Sequence, residues 1–167
     1  MLETNALKIL KNAILLEKRG QAFYQNTADQ AQGRAVKEFF ELMADEEEEH
    51  IRILSEQFKS LKNNNKFKAR GYLSKDASNL ASEVLTREIK EQISGSGFES
   101  AAISAAAAME QKAVELYSQR AETAEDPEEK KLYQWLAQWE QGHLDMLLAM
   151  DKELTEKIWN DNQFWPF

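Results

Sequence analysis

Apolar residues recur at alternating steps of four and three along four long stretches of the chain, the spacing of one face of an α-helix. The first stretch carries Leu10, Ile14, Glu17, Gln21, Tyr24, Ala28 and Ala31 on that face, starting from Thr4 as N-cap and ending near Gln30, before Gly33. The second, from about Arg34 to Leu61, carries Val36, Phe40, Met43, Glu47, His50, Leu54 and Leu61. A third begins after Gly95-Ser96-Gly97 and carries Ile103, Ala107, Glu110, Val114, Tyr117 and Ala121. The fourth has the clearest start: Asp126 as N-cap, Pro127 at the first helical position, and Glu128 and Glu129 against the positive end of the helix dipole. Its face reads Tyr133, Leu136, Glu140, His143, Leu147, Met150 and Leu154.

Short connections around Gly33 and Asp126 make antiparallel hairpins of the first and second, and of the third and fourth, helices. Residues 62–97 form a long crossover that opens with the basic stretch Lys62–Arg70 and holds a short helix from Ser74 or Asp76 to about Glu91. Two hairpins joined by one long crossover make an all-α, ferritin-like four-helix bundle, expected over residues 1–155. The tail 156–167 is rich in aromatics and is expected to pack on the bundle or on a partner subunit. The cluster Lys59, Lys62, Lys66, Lys68 and Arg70 reads as a solvated loop.

Each helical face is interrupted by polar residues at one level, and those residues repeat. Glu17, Tyr24, Glu47 and His50 recur as Glu110, Tyr117, Glu140 and His143, each displaced by 93 residues (110−17, 117−24, 140−47, 143−50). Two glutamates and two Glu-x-x-His pairs facing one another are the ligand set of a carboxylate-bridged two-metal site in a four-helix bundle. Four carboxylates packed together without a cation would cost many kcal/mol or take up protons, whereas two divalent ions cancel their charge. The three-residue spacing sets each Glu and His side by side on one helix face. Glu17 and Glu110 are then terminal ligands, Glu47 and Glu140 bridges, and His50 and His143 complete one metal each. Oxygen-rich ligation with one imidazole per ion suits iron, with manganese possible, better than structural zinc. Among the five acidic residues Asp45–Glu49, only Glu47 has both the spacing to His50 and a repeat partner; its neighbours read as a solvated face, with room for one to support the site. Tyr24 and Tyr117 lie two turns beyond Glu17 and Glu110 and are expected to hydrogen-bond the ligands. Gly20 and Ala113 leave open space beside the metals or mark a close helix contact, and Trp135 and Trp139 read as packing residues.

Composition narrows the setting. A length of 167 residues suits one domain, with six Gly and two Pro favouring long helices. A formal net charge of −8 argues against nucleic acid, and no apolar run is long enough to span a bilayer. The segment Met1–Lys11 lacks a signal-peptide profile, so the expected address is cytoplasmic. The absence of cysteine removes disulfides and thiolate metal centres together.

The stretch from Glu17 to Tyr24, followed by Phe39 to His50 with its acidic run, resembles the di-iron domain of the rubrerythrin family. The second half resembles it again through Met109-Glu110 to Tyr117 and Trp139-Glu140-Gln141-Gly142-His143, so the likeness covers about residues 1–155. The resemblance implies a ferritin-like bundle, often dimeric, holding two iron ions per chain whose reduced form consumes hydrogen peroxide or dioxygen. Rubrerythrins proper also carry a four-cysteine rubredoxin-like module, absent from this chain, so electrons are expected from an external rubredoxin-like protein or reductase. They further place a glutamate three residues after the ligand of the third helix. Here that position is Ala113, with Gly20 as its repeat counterpart. The expected activity is a di-iron peroxidase or oxidoreductase in oxidative-stress defence, acting as a homodimer. The alternatives are ferroxidase and iron handling of the kind the similar bacterioferritin site performs, or a metal-binding or interaction protein without turnover.

Overall fold

The computed structural model describes residues 4–69, 89, 91–92 and 97–161. Four helices dominate: α1 (Asn5–Gln30), α2 (Arg34–Asn64), α3 (Gly97–Thr123) and α4 (Pro127–Asp161). α1 packs on α2 and α3 on α4, while α1 also touches α3. The result is a ferritin-like four-helix bundle. The expected helix from Ser74 or Asp76 lies outside the described residues, apart from helical backbone at Ile89, Glu91 and Gln92.

The helix ends follow local chemistry. Thr4 accepts a hydrogen bond from the Leu7 backbone N–H (3.4 Å) at the start of α1. Asp126 Oδ1 accepts from the backbone N–H of Glu128 (2.8 Å) and of Glu129 (3.2 Å), capping α4 as its sequence predicts. Gly33, ahead of α2, has no capping side chain of its own. Gln92 supplies one from the far end of the crossover, its Oε1 accepting from the Ala35 N–H at 2.9 Å. A Cβ on Gly33 would stand 2.7 Å from that oxygen, so the glycine makes room for the cap. α2 runs past Leu61 to Asn64 and ends on Asn65 at φ 54, a left-handed conformation that asparagine tolerates. Just beyond, Gln57 and Lys68 exchange side chain–backbone hydrogen bonds (2.8 and 3.0 Å) and Phe67 is buried, so the basic stretch is anchored near its end.

The buried faces match the expected stripes with a one-residue shift in two helices. Ala13 and Gly20 are buried in α1 where Ile14 and Gln21 are only half-buried, and Ala113 is buried in α3 rather than Val114. At these positions the small residue is buried and its larger neighbour flanks it. The core divides into two apolar clusters. One holds Tyr24, Phe40, Met43, Ile103, Leu147 and Met150; the other holds Leu10, Leu54, Tyr117, Leu132, Tyr133 and Leu136. The polar level lies between them. α4 continues to Asp161, beyond the boundary expected at residue 155, with Trp159 of the tail about half-exposed (51%). Residues 162–167, the rest of the tail, lie outside the described residues.

Candidate metal centre

All six glutamates and histidines singled out by the repeat are buried, none more than 4% exposed. Each helix delivers its share: Glu17 from α1, Glu47 and His50 from α2, Glu110 from α3, Glu140 and His143 from α4. Their donor atoms fall into two groups within 4.8 Å, Glu17–Glu47–His50–Glu140 and Glu47–Glu110–Glu140–His143. Glu47 and Glu140 belong to both groups; Glu17 and Glu110 belong to one each. His50 Nδ1 lies 2.9 Å from Glu140 Oε1 and 3.1 Å from Glu17 Oε2. His143 Nδ1 lies 3.1 Å from Glu140 Oε2 and 3.5 Å from Glu110 Oε1. Both imidazoles thus turn the same ring nitrogen toward the carboxylates.

The tyrosines hydrogen-bond the carboxylates, as expected, but crosswise. Tyr24 of α1 donates to Glu110 Oε1 of α3, and Tyr117 of α3 donates to Glu17 Oε1 of α1. Each half of the repeat therefore fixes a carboxylate of the other half. Each tyrosine ring is stacked in an equivalent way, Tyr24 on Phe40 (6.2 Å, 25°) and Tyr117 on Tyr133 (5.9 Å, 27°). Phe40 and Tyr133 are themselves 93 residues apart, so the repeat extends to the rings that hold the tyrosines.

One residue of the acidic run does more than sequence reading assigned to it. Asp45, Glu48 and Glu49 are exposed as expected, but the Glu46 side chain is 13% exposed and turns inward. Its Oε2 lies 2.5 Å from His143 Nε2 and accepts from Trp139 Nε1 at 3.2 Å. Trp139 also packs edge-on against His50, as does Trp135, with ring centroids 5.7 and 5.6 Å away. No matching residue in the repeat marked Glu46: 46 plus 93 is 139, a tryptophan, and only the structure shows these two paired positions in contact. The glycine at position 20 also has a local reason. A Cβ there would come into contact with the Glu47 carboxylate carbon at 3.4 Å, so this stretch of α1 faces a shared carboxylate with only a hydrogen on its Cα. At the counterpart position Ala113 is buried, and no further carboxylate reaches the site from it.

Electrostatics describe what this cluster does without a cation. Burial raises Glu47 well above the ordinary carboxylate range, helped by Glu17 and Glu140. Burial and then Glu140 push Glu110 up to about 7, although His143 works the other way. Burial would also raise Glu140, but His50 and His143 outweigh it and hold this carboxyl low. For both imidazoles burial works downward, and the surrounding carboxylates, Glu140 foremost at His50 and Glu110 at His143, raise them well above their ordinary value. Protons on the histidines and on the raised glutamates thus supply the positive charge that four buried carboxylates demand. Two divalent cations supply the same charge without those protons, and oxygen donors with one imidazole per ion fit such a pair.

The family model for rubrerythrin matches residues 8–151, most of the chain and all six of these residues. The chain belongs to the rubrerythrin family. Its fold is similar to that of a hypothetical protein from Pyrococcus furiosus, with a TM-score of 0.64 and 21% identity over 93% of this chain and 94% of that one. No curated protein matches the sequence. Among the described residues of this rubrerythrin-family chain, no helix is long and apolar enough to cross a membrane.

Proposed function

We propose that this chain is a di-iron oxidoreductase that reduces hydrogen peroxide, or dioxygen, with electrons from a separate donor, and that it works as a homodimer in the cytoplasm. The observation that carries the reading is the sharing of Glu47 and Glu140 between two four-donor groups, the arrangement of bridging carboxylates. In this reading Glu17, Glu47, His50 and Glu140 would hold one ion, and Glu47, Glu110, Glu140 and His143 the other. Bound as a ferrous pair, iron would supply the two electrons that cleavage of a peroxide O–O bond requires.

The chain's own residues prepare that chemistry. Tyr24 and Tyr117 hold Glu110 and Glu17 by their Oε1 atoms, which fixes the orientation of each terminal carboxylate. The two apolar clusters seal the polar level from both ends and exclude bulk water. Gly20 places no side-chain atom against the flank of Glu47, where even a Cβ would reach contact distance of the carboxylate.

The test is anaerobic purification, metal analysis, and stopped-flow absorbance on adding one equivalent of peroxide. About two irons per chain, with rapid growth of ferric near-ultraviolet absorbance that is lost in Glu47→Ala, is the expected result. Two irons with no fast response to peroxide would reject the peroxidase reading while keeping the metal centre. Absence of bound metal after reconstitution would reject both.

A further inference from the structure

The two halves of the centre are alike in their carboxylates and tyrosines but differ at the outer nitrogen of each histidine. His143 Nε2 is 2.5 Å from Glu46 Oε2. A carboxylate at that distance accepts the Nε2–H, which leaves the lone pair of the neutral ring on Nδ1, the atom facing Glu140 and Glu110. Glu46 is itself held by the indole N–H of Trp139. At the other histidine the counterpart of Glu46 in the repeat is that same Trp139, an aromatic ring with no acceptor to offer. His50 is 1% exposed, and its Nε2 has no hydrogen-bond partner among the described residues. Its ring is walled instead by Trp135 and Trp139.

We propose that Glu46 makes the two cation positions unequal, so that the position built on His143 binds its divalent ion first and more tightly, and the position built on His50 is the weaker and more readily exchanged one. This inference rests on the reading of the site as a two-metal centre. The physical basis has two parts. A carboxylate behind a ligating imidazole fixes its tautomer and ring orientation and raises its basicity, and losing such a partner typically costs about 10–100-fold in metal affinity. A buried N–H without an acceptor offers none of that support from the outer side of the ring, where His50 meets only the two indoles. Glu46 acts through His143 and is therefore a positioning residue; it belongs to neither four-donor group.

Titration of the metal-free protein with Co(II), followed by calorimetry and by the visible d–d bands, tests this directly. The wild-type chain should take up two ions in resolved steps. Glu46→Gln, which keeps the shape and removes the charge, should weaken the first step about 10–100-fold and shift its d–d bands, leaving the second within about threefold. His143→Ala should abolish the tight step, whereas His50→Ala should retain it. Circular dichroism of each variant confirms that the bundle is intact. Two equal steps in the wild type, or equal weakening of both steps in Glu46→Gln, would overturn the inference while leaving the two-metal reading in place. A tight step that survives His143→Ala and disappears in His50→Ala would overturn it as well. No Co(II) uptake by the wild type would remove the two-metal reading itself, and this inference with it.

Discussion

A buried carboxylate that loses its hydrogen-bond donor must stay charged without support or take a proton, and this makes the crossed tyrosines the most informative single residues. Tyr24 and Tyr117 are both fully buried, and each gives its hydroxyl to a carboxylate contributed by the other half. Hydrogen bonds to charged groups contribute about 1.5–3 kcal/mol. Tyr24→Phe or Tyr117→Phe should therefore lower the melting temperature by roughly 3–12 °C, at about 2–4 °C per kcal/mol for a chain of this size. Calorimetry in the presence of a chelator measures it, and a loss under about 2 °C in both variants would show that these bonds do not support the fold. The buried glutamates and histidines of the cluster were legible because the repeat selected Glu47 out of a run of five acids and placed it on an apolar stripe. The direction of the tyrosine bonds was not, because spacing along a helix gives the face of a residue but not the helix it reaches. Glu46 was hidden for a different reason. Its repeat counterpart is a tryptophan, so a search for matching residues passes over a pair that matters because it differs.

At the scale of the helices, start and stop chemistry was readable wherever it is local. Asp126 and Pro127 mark the start of α4, and the cap bonds to Glu128 and Glu129 form as the sequence implies. Asp126→Ala should cost about 1 kcal/mol, a typical cap loss. Thr4→Ala should cost less, since its one cap bond is a long 3.4 Å at an exposed helix end. Urea unfolding of the two variants gives the comparison, and an equal or larger loss for Thr4→Ala would contradict it. The start of α2 at Arg34 was readable from Gly33, but its cap was not, because Gln92 comes from 57 residues away. Gly33 looked like a simple helix breaker in the sequence, yet its lack of a side chain is what lets Gln92 approach. The stripes held at Leu10, Glu17, Tyr24, Ile103, Glu110 and Tyr117 but slipped by one residue at Ile14, Gln21 and Val114, for a related reason. Hydropathy favours Ile14 and Val114 as inward residues, whereas close packing at the polar level selects Ala13, Gly20 and Ala113.

For the whole molecule, the repeat makes two hairpins into one charge-balanced unit, and the balance should show in how stability depends on pH. Glu110 in the metal-free protein titrates at about 7, against an ordinary value of 4.5. The folded chain therefore holds a proton between those values that the unfolded chain releases, and stability falls as pH rises through this window. The contribution reaches up to about 3 kcal/mol, since each pH unit between the folded and unfolded values is worth about 1.4 kcal/mol. Glu47 acts with the same sign, since its carboxyl is also raised. His50 and His143, raised in the fold, add stability that is present below their ordinary 6.5 and is lost as pH climbs through their higher folded values. Glu140 works oppositely: its carboxyl is held low, so its contribution is present above 4.5 and lost as pH falls. The metal-free protein should thus melt highest near pH 4.5 and lose stability toward neutrality, unlike a bundle held by ordinary surface ion pairs. Bound cations reverse the trend, because they require the deprotonated forms that the fold alone disfavours. With Mn(II) at about 1,000 times its dissociation constant, roughly 4 kcal/mol is added, or about 8–16 °C. The gap between loaded and metal-free melting temperatures should widen as pH rises from about 5 to about 7.5. A metal-free melting temperature that instead increased over that range would mean that the cluster is not held together by protons in the absence of metal.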